Sequence, residues 1–135
     1  MNDNTEITAV IPVGDRHDNI RDLYEDYKRG VGELGRSCEF IFVLDGEYPE
    51  VLEQLTALQQ RGDRLKIIRL SKRFGEATAL TAGFDHASGD IILTLPAYYQ
   101  VEPSEIPKLF AELAHCDMVI SYRWPRAGSK FERVR

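Results

Sequence analysis

Residues 65–95 read LKIIRLSKRFGEATALTAGFDHASGDIILTL, and this stretch decides the fold. It begins and ends with short apolar runs, 65–70 and 91–95, whose length and composition are typical of buried strands. The segment between them carries apolar residues at the spacing of one buried helical stripe: Ala77, Leu80 and Phe84. Gly89 is expected to end that helix. The stretch therefore predicts a strand–helix–strand unit with a right-handed crossover.

The same alternation of strand and helix continues over the rest of the chain. Apolar runs predict five strands, at residues 7–11, 40–44, 65–70, 91–95 and 118–122. Helical spacing predicts four intervening helices, at residues 20–34, 51–58, 77–84 and 106–113. We expect an α/β fold, a three-layer α/β/α sandwich with a mainly parallel sheet of about five strands. One domain spanning residues 1–135 accounts for these elements. Pro12 is expected to close the first strand, and Asp15 to cap the first helix.

Charge and composition narrow the class of protein. The 135 residues are 43% hydrophobic and carry a net charge of −5, which argues against nucleic-acid binding. Residues 117–135 are locally basic, and this end fits a phosphate, an acidic partner, a membrane surface or simply a solvated terminus. The polar start of the chain is unlike a signal peptide, and no apolar run approaches the length of about 20 residues that spans a bilayer. We expect a cytoplasmic location, with peripheral association at the inner face of the membrane left open.

Ligands of open α/β sheets bind beyond the carboxyl ends of the strands, where this sequence places several charged residues. Asp45 could accept hydrogen bonds from a base or ribose, although the pattern alone favours a helix cap or an Asp-Gly turn. Lys72 and Arg73 precede a helix and could bind phosphate, or form a solvated loop. Arg123 and Arg126 are similarly either diphosphate ligands or surface charges. No Ser/His/Asp or Cys/His arrangement is present, so catalytic residues are not assigned.

Taken in order, these segments resemble family 2 glycosyltransferases, which have the GT-A fold, and particularly the polyprenyl-phosphate sugar transferases. Residues 11–16 stand where the family has I-P-x-Y-N-E, and residues 43–47 where it has V-D-D-G-S. Residues 72–83 follow the R-N-x-G-x-x-x-A-x-x-x-G stretch and lie within the closest match, 70–95. Residues 122–129 resemble the R-x-x-R-x-G stretch after the fifth strand.

The resemblance implies a nucleoside-diphosphate-sugar donor, with Mg²⁺ or Mn²⁺ held by a D-x-D pair. It also implies a set of nucleotide-binding residues: Pro12, Val13, Asp45, Lys72, Arg73, Gly75, Ala97 and Arg123. A polyprenyl-phosphate acceptor or a membrane surface is implied for a longer form of the protein. The oligomeric state is left open.

The sequence departs from the family at the metal site. The two aspartates of D-x-D fall on Pro96 and Tyr98, and neither residue supplies a carboxylate to a hard divalent cation. We therefore predict no metal ligands here. The chain also stops where the acceptor half of the family would begin, so we expect either a fragment or a shortened relative.

Two functions remain open after these comparisons of motifs. The first is a glycosyltransferase domain that binds a nucleoside-diphosphate sugar, with Arg73, Arg123 or Arg126 replacing the metal. The second is a non-catalytic module that binds a nucleotide sugar or a protein partner through the same fold. Whether the chain is an enzyme stays undecided at this stage. A receiver domain is a weaker alternative, because Asp45 alone does not make its acidic pocket.

Overall fold

A computed structural model describes residues 5–113 in full and the backbone of residues 118–123 and 129–134. The chain alternates between strands and helices. The strands are β1 (Ile7–Val13), β2 (Cys38–Leu44), β3 (Leu65–Arg69), β4 (Ile91–Thr94), β5 (Met118–Arg123) and β6 (Ser129–Val134). The helices are α1 (Ile20–Gly32), α2 (Pro49–Arg61), α3 (Glu76–Asp85) and α4 (Ile106–Leu113), and a 3₁₀ turn (Pro103–Glu105) leads into α4.

The main sheet is parallel and has the order β3-β2-β1-β4. Helices cover both of its faces. One face packs against α1, α2 and α4, with Leu23, Leu55 and Ile106 in the core. The other face packs against α3, where Ala79 meets Val10 of β1. The predicted three-layer α/β/α sandwich is confirmed.

The fifth predicted strand forms, but it lies outside the main sheet. β5 pairs antiparallel with β6 in a separate two-stranded sheet, so the main sheet has four strands in the described part of the chain. β6 was not predicted, because its sequence SKFERV mixes charged and apolar residues and resembles a basic terminus. Strands that are adjacent in sequence pair readily as an antiparallel hairpin.

Pro12 does not close β1, which continues to Val13. The N–H of Leu95 donates to Val10 on the β4 side, whereas the N–H of Asp45 donates to Val13 on the β2 side. Because alternate residues face opposite neighbours, Pro12 faces the side of β4, and β4 has already ended at Thr94. The missing N–H of proline therefore removes no hydrogen bond from the sheet.

Two predicted helix boundaries were also wrong. Asn19 caps α1, because its side-chain oxygen accepts a hydrogen bond of 3.0 Å from the N–H of Asp22. Asp15 instead lies in the loop before the cap. Helix α3 ends at Asp85, before the predicted stop at Gly89.

Gly83 and Gly89 owe their identity to close packing against β1. A Cβ on Gly89 would lie 2.7 Å from backbone atoms of Ile7 and Thr8, and one on Gly83 would overlap Val10. The N–H of Gly89 also donates to the Thr8 hydroxyl at 2.8 Å. The closest part of the family resemblance therefore includes residues that let α3 and its following turn approach the sheet.

Candidate functional site

Four loops meet at the carboxyl ends of the parallel strands. They follow β1, β2, β3 and β4, and hydrogen bonds join them in pairs. The Asp45 side chain links the loop after β2 to the loop after β3.

Asp45 anchors the loop that leads into α3. Its side chain is nearly buried, with the residue 6% exposed, and Oδ1 and Oδ2 accept hydrogen bonds from the N–H groups of Phe74 (2.7 Å) and Gly75 (3.0 Å). Gly75 has φ 106° and ψ 159°, a conformation that is essentially restricted to glycine. The helix-capping role that the sequence favoured for Asp45 is not observed, because its partners are the N–H groups of the two residues before α3, and neither α2 nor α3 has a side-chain cap.

Asp15 joins the loop after β1 to the loops after β2 and β3. Its carboxylate forms an ion pair with Arg73 and accepts a hydrogen bond of 2.8 Å from the Tyr48 hydroxyl. The ring of His17 packs edge-on against Tyr48, at 5.5 Å between centroids. Arg73 therefore shares its charge with a carboxylate, whereas Lys72 lies 5.4 Å from the centroid of the Phe74 ring.

The loop after β4 is fastened to the loop after β1 and to α1. The N–H of Asp18 donates to Ala97 at 2.9 Å, and the Asp18 carboxylate accepts from the N–H of Tyr99 at 2.7 Å. The Tyr27 hydroxyl donates to the Pro96 carbonyl at 2.9 Å. These contacts bring Arg16 over the ring of Tyr98, with 3.8 Å between the guanidinium carbon and the ring centroid.

Two tyrosines under this loop have raised pKa values. Burial raises the pKa of Tyr27, and the neighbouring Tyr99 and Tyr98 raise it further. Burial also raises the pKa of Tyr99 to about 12, together with its hydrogen bond to Asp26. Both phenols are therefore neutral hydrogen-bond donors at neutral pH, and Tyr27 uses its proton to hold the Pro96 carbonyl.

Two open grooves flank the loop before α3, which Asp45 anchors. The first has a volume of about 530 Å³ and runs along β4, with Pro12, Glu76, Pro96 and Tyr98 among its lining residues. The second has a volume of about 520 Å³ and lies beyond the ends of β2 and β3, where Glu47, Tyr48, Arg69 and Ser71 contribute polar groups. Each groove has the volume of a small-molecule site.

The predicted nucleotide-binding residues are distributed unevenly around these grooves. Pro12 lines the first groove, and Lys72, Arg73 and Gly75 lie in the loop before α3. The side chains of Val13 and Ala97 are buried in the core, so only their backbone atoms could reach a ligand. The backbone of Arg123 ends β5, while its side chain and the whole of Arg126 lie outside the described residues.

The residues after β4 do not fit a divalent cation. Pro96 offers a carbonyl that already accepts a hydrogen bond, and Tyr98 offers a phenol ring that lies beneath a guanidinium. Over the described residues no three His, Cys, Asp or Glu side chains converge as a metal site. Hard cations such as Mg²⁺ and Mn²⁺ favour charged oxygen ligands, which this loop does not supply.

The chain matches a known sequence family. Glycosyl transferase family 2 matches residues 8–135, nearly the whole chain. The chain belongs to this family. The same assignment explains why the grooves lie at the carboxyl ends of the strands, as in other open α/β sheets.

Individual relatives and solved structures agree with this assignment. The chain is 32% identical over 131 residues to an undecaprenyl-phosphate 4-deoxy-4-formamido-L-arabinose transferase of Klebsiella pneumoniae, covering 96% of the chain and 40% of the relative. The enzyme of the same description from Pseudomonas aeruginosa is 33% identical over 129 residues, with 94% and 38% covered. The chain thus spans about 40% of the length of these relatives.

Two solved structures share the fold at low sequence identity. The mannosyltransferase PcManGT from Pyrobaculum calidifontis, in complex with GDP-Man and Mn²⁺, superposes with a TM-score of 0.53 and 20% identity over 68% of this chain and 27% of that one. TarS from S. aureus superposes with a TM-score of 0.57 and 12% identity, over 84% and 33%. The GT-A fold expected from the motifs is confirmed.

Some residues of the site were not found by sequence reasoning. Arg16 lies in the segment that aligns with the first family motif but was not among the predicted binding residues, and neither was Tyr48. The contacts of both depend on loops that are distant in sequence, since Arg16 meets Tyr98 and Tyr48 meets Asp15. Within the part of the chain that the structure describes, no helix is long and apolar enough to cross a membrane.

Proposed function

We propose that this family 2 domain binds a nucleoside-diphosphate sugar across the carboxyl ends of β1, β2, β3 and β4. The observation that carries the proposal is the anchoring of the loop before α3 by Asp45. This anchor holds Lys72 and Arg73 beside the amino end of a helix, where backbone N–H groups and cations favour phosphate.

The surrounding contacts support the same assignment. Phe74 is about half exposed and offers an aromatic face beside Asp45 on which a base can stack. Pro12 and Tyr98 line a groove that is large enough for a nucleotide sugar. Three arginine or lysine side chains, Arg16, Lys72 and Arg73, surround this region and complement a diphosphate.

The donor class follows from relatives, and it is part of the proposal. The Klebsiella relative is a transferase that acts with undecaprenyl phosphate, and PcManGT was solved with GDP-Man. By analogy with these relatives, we expect a protein that contains this domain to transfer a sugar to a polyprenyl phosphate. Such an acceptor would place this domain at the inner face of a membrane, as a peripheral protein.

Calorimetry tests the proposed binding. UDP-sugars and GDP-sugars are titrated into the 135-residue chain, and binding of either class supports the proposal. UMP and GMP define the share contributed by the base, the ribose and the first phosphate. If circular dichroism shows that the chain is folded and none of the UDP-sugars, GDP-sugars, UMP or GMP binds, the proposal is contradicted.

A second function is a module that binds without transferring sugar. The replacement of the acidic pair by Pro96 and Tyr98 favours it, because a metal normally neutralises the diphosphate leaving group. An assay of sugar transfer to a polyprenyl phosphate tests the module. Turnover by the chain would exclude it, whereas binding without turnover fits both functions, because the chain spans about 40% of the length of relatives that transfer sugar.

A further inference from the structure

We infer that Arg16, held against the ring of Tyr98, provides the positive charge for a diphosphate in a site that does not use a divalent cation. The inference rests on the proposed function, since it concerns the diphosphate of the same nucleotide sugar. It assigns a charge-supplying role to a side chain that no motif indicates.

Tyr98 gives the guanidinium a flat neutral support. The distance of 3.8 Å from the Arg16 guanidinium carbon to the ring centroid is that of direct stacking on the ring face. A guanidinium that lies on a ring keeps its N–H groups directed outward in its own plane. The stacking therefore restricts the orientation of the cation without consuming its hydrogen-bond donors.

Arg16 is the least neutralised arginine in this part of the site. Arg73 pairs with Asp15, whereas among residues 5–113 the structure pairs Arg16 with the Tyr98 ring and with no carboxylate. The side chain is exposed at the end of the sheet, so an approaching anion can reach it. A guanidinium without a carboxylate partner retains its full charge for a phosphate group.

The position of this cation is fixed by the backbone. The two hydrogen bonds of Asp18, with Ala97 and with the N–H of Tyr99, hold the loop after β1 against the loop after β4. Arg16 lies two residues before Asp18, and Tyr98 lies between the two hydrogen-bonded residues of the other loop. The stacked pair therefore lies across the ends of two neighbouring strands, β1 and β4.

The ligand that this arrangement fits is a diphosphate. The planar guanidinium can donate two parallel hydrogen bonds to phosphate oxygens, which adds specificity as well as charge. A cation already at this position also repels a divalent metal ion, and residues 95–101 of the loop after β4 offer that ion no carboxylate. Binding of a nucleoside diphosphate should therefore be independent of metal, and it should exceed binding of the monophosphate because of Arg16.

The experiment compares UDP and GDP with UMP and GMP, by calorimetry, first with EDTA and then with Mn²⁺. We expect the chain to bind at least one diphosphate in EDTA, about tenfold or more tightly than its monophosphate. Arg16→Gln should remove most of this difference while monophosphate affinity changes less than about twofold. Tyr98→Leu should weaken diphosphate binding in part, and Tyr98→Phe should preserve it, because phenylalanine retains the ring.

Arg36→Gln is the matched control. Arg36 also lies over an aromatic ring, 6.0 Å from the Phe110 centroid. It precedes β2, however, and so lies at the amino ends of the strands, away from the proposed site. Its removal should leave both affinities unchanged. Circular dichroism and thermal unfolding confirm that each variant is folded before titration.

The outcomes separate this inference from the proposed function. Failure of the unaltered chain to bind any nucleotide, with or without Mn²⁺, overturns both. Diphosphate binding that appears only with Mn²⁺ overturns the role of Arg16 and leaves the proposed function standing. The same conclusion follows if Arg16→Gln binds the diphosphate as tightly as the unaltered chain does.

Discussion

The ammonium group of Lys66 lies 3.2 Å from the carboxylate of Glu39, which is buried beneath the turn that precedes β4. The Thr8 hydroxyl and the N–H of Ser88 each donate to the same carboxylate at 2.7 Å. This cluster ties β1, β2 and β3 to the turn between α3 and β4. It lies at the amino ends of the strands, opposite the proposed nucleotide site, so it can be altered without touching that site.

The Glu39 cluster predicts an acid-dependent loss of stability. Burial raises the pKa of Glu39, but the hydrogen bonds from Ser88 and Thr8 and the Lys66 charge outweigh it, so the pKa is lowered. Because the native pKa lies below that of the unfolded chain, the stabilisation is complete above about pH 4.3 and is lost as pH falls through the native pKa. Glu39→Gln should lower the free energy of unfolding by about 1–3 kcal/mol at pH 7.

Urea unfolding between pH 7 and pH 3 measures this effect. The difference between the unaltered chain and Glu39→Gln should be constant at neutral pH and shrink below about pH 4. Glu53→Gln, which alters an exposed residue of α2, is the control and should show little difference. A Glu39→Gln difference that does not change with pH would show that charge is unimportant in the cluster.

Gly89→Ala should destabilise the chain through steric overlap. The added Cβ would lie 2.7 Å from the backbone of Ile7 and Thr8 in β1, a central strand that cannot move aside cheaply. We expect a loss of about 1–3 kcal/mol in urea unfolding. Gly32 ends α1, and a Cβ added to it would have no atom within 4 Å. Gly32→Ala is therefore the matched control, and this variant should be neutral or stabilising. Equal stability of the two variants would be inconsistent with the packing described here.

The elements of this fold were predictable from the sequence because their signals are local. The apolar run before Asp45 identifies β2, and the helical spacing of Leu23, Tyr27 and Val31 identifies the buried side of α1. The end of β1 was mispredicted because the tolerance for Pro12 depends on the length of β4, its neighbour in the sheet. That dependence is a property of the sheet and is invisible in the sequence around Pro12.

The site was less predictable, because its contacts join separate loops. The sequence predicted that Asp45 and Arg73 lie at the carboxyl ends of neighbouring strands. The structure places them there, because β2 lies beside β3 in the sheet. It could not show that Arg73 pairs with Asp15 or that Arg16 stacks on Tyr98. These pairings depend on loop conformations, which periodicity does not encode.

Gly75→Ala should be destabilising for a different reason from Gly89→Ala. No atom lies within 4 Å of a Cβ at this position, so the cost comes from the backbone conformation with φ 106°. We expect a loss of about 1–3 kcal/mol in urea unfolding. Gly14→Ala is the control, because Gly14 also has no atom within 4 Å but is not among the glycines with positive φ. Similar losses in both variants would refute a conformational cause.

Asp45→Ala should affect both stability and ligand binding. It removes two charge-assisted hydrogen bonds to Phe74 and Gly75, and urea unfolding should show a loss of about 1–3 kcal/mol. Because the loop that carries Lys72 and Arg73 is then released, UDP or GDP affinity should fall about tenfold or more in calorimetry. Asp45→Asn retains one acceptor oxygen, so its stability and nucleotide affinity should lie between those of Asp45→Ala and of the unaltered chain.

Gly89→Ala separates these two effects of Asp45→Ala. Gly89→Ala lowers stability at the amino ends of the strands, opposite the proposed site. The nucleotide affinity of this variant should therefore remain normal at temperatures where the chain is folded. If Asp45→Ala and Gly89→Ala were to bind nucleotide equally well, Asp45 would be a structural anchor alone. The loop before α3 would then have to be supported by its remaining contacts, chiefly the ion pair between Arg73 and Asp15.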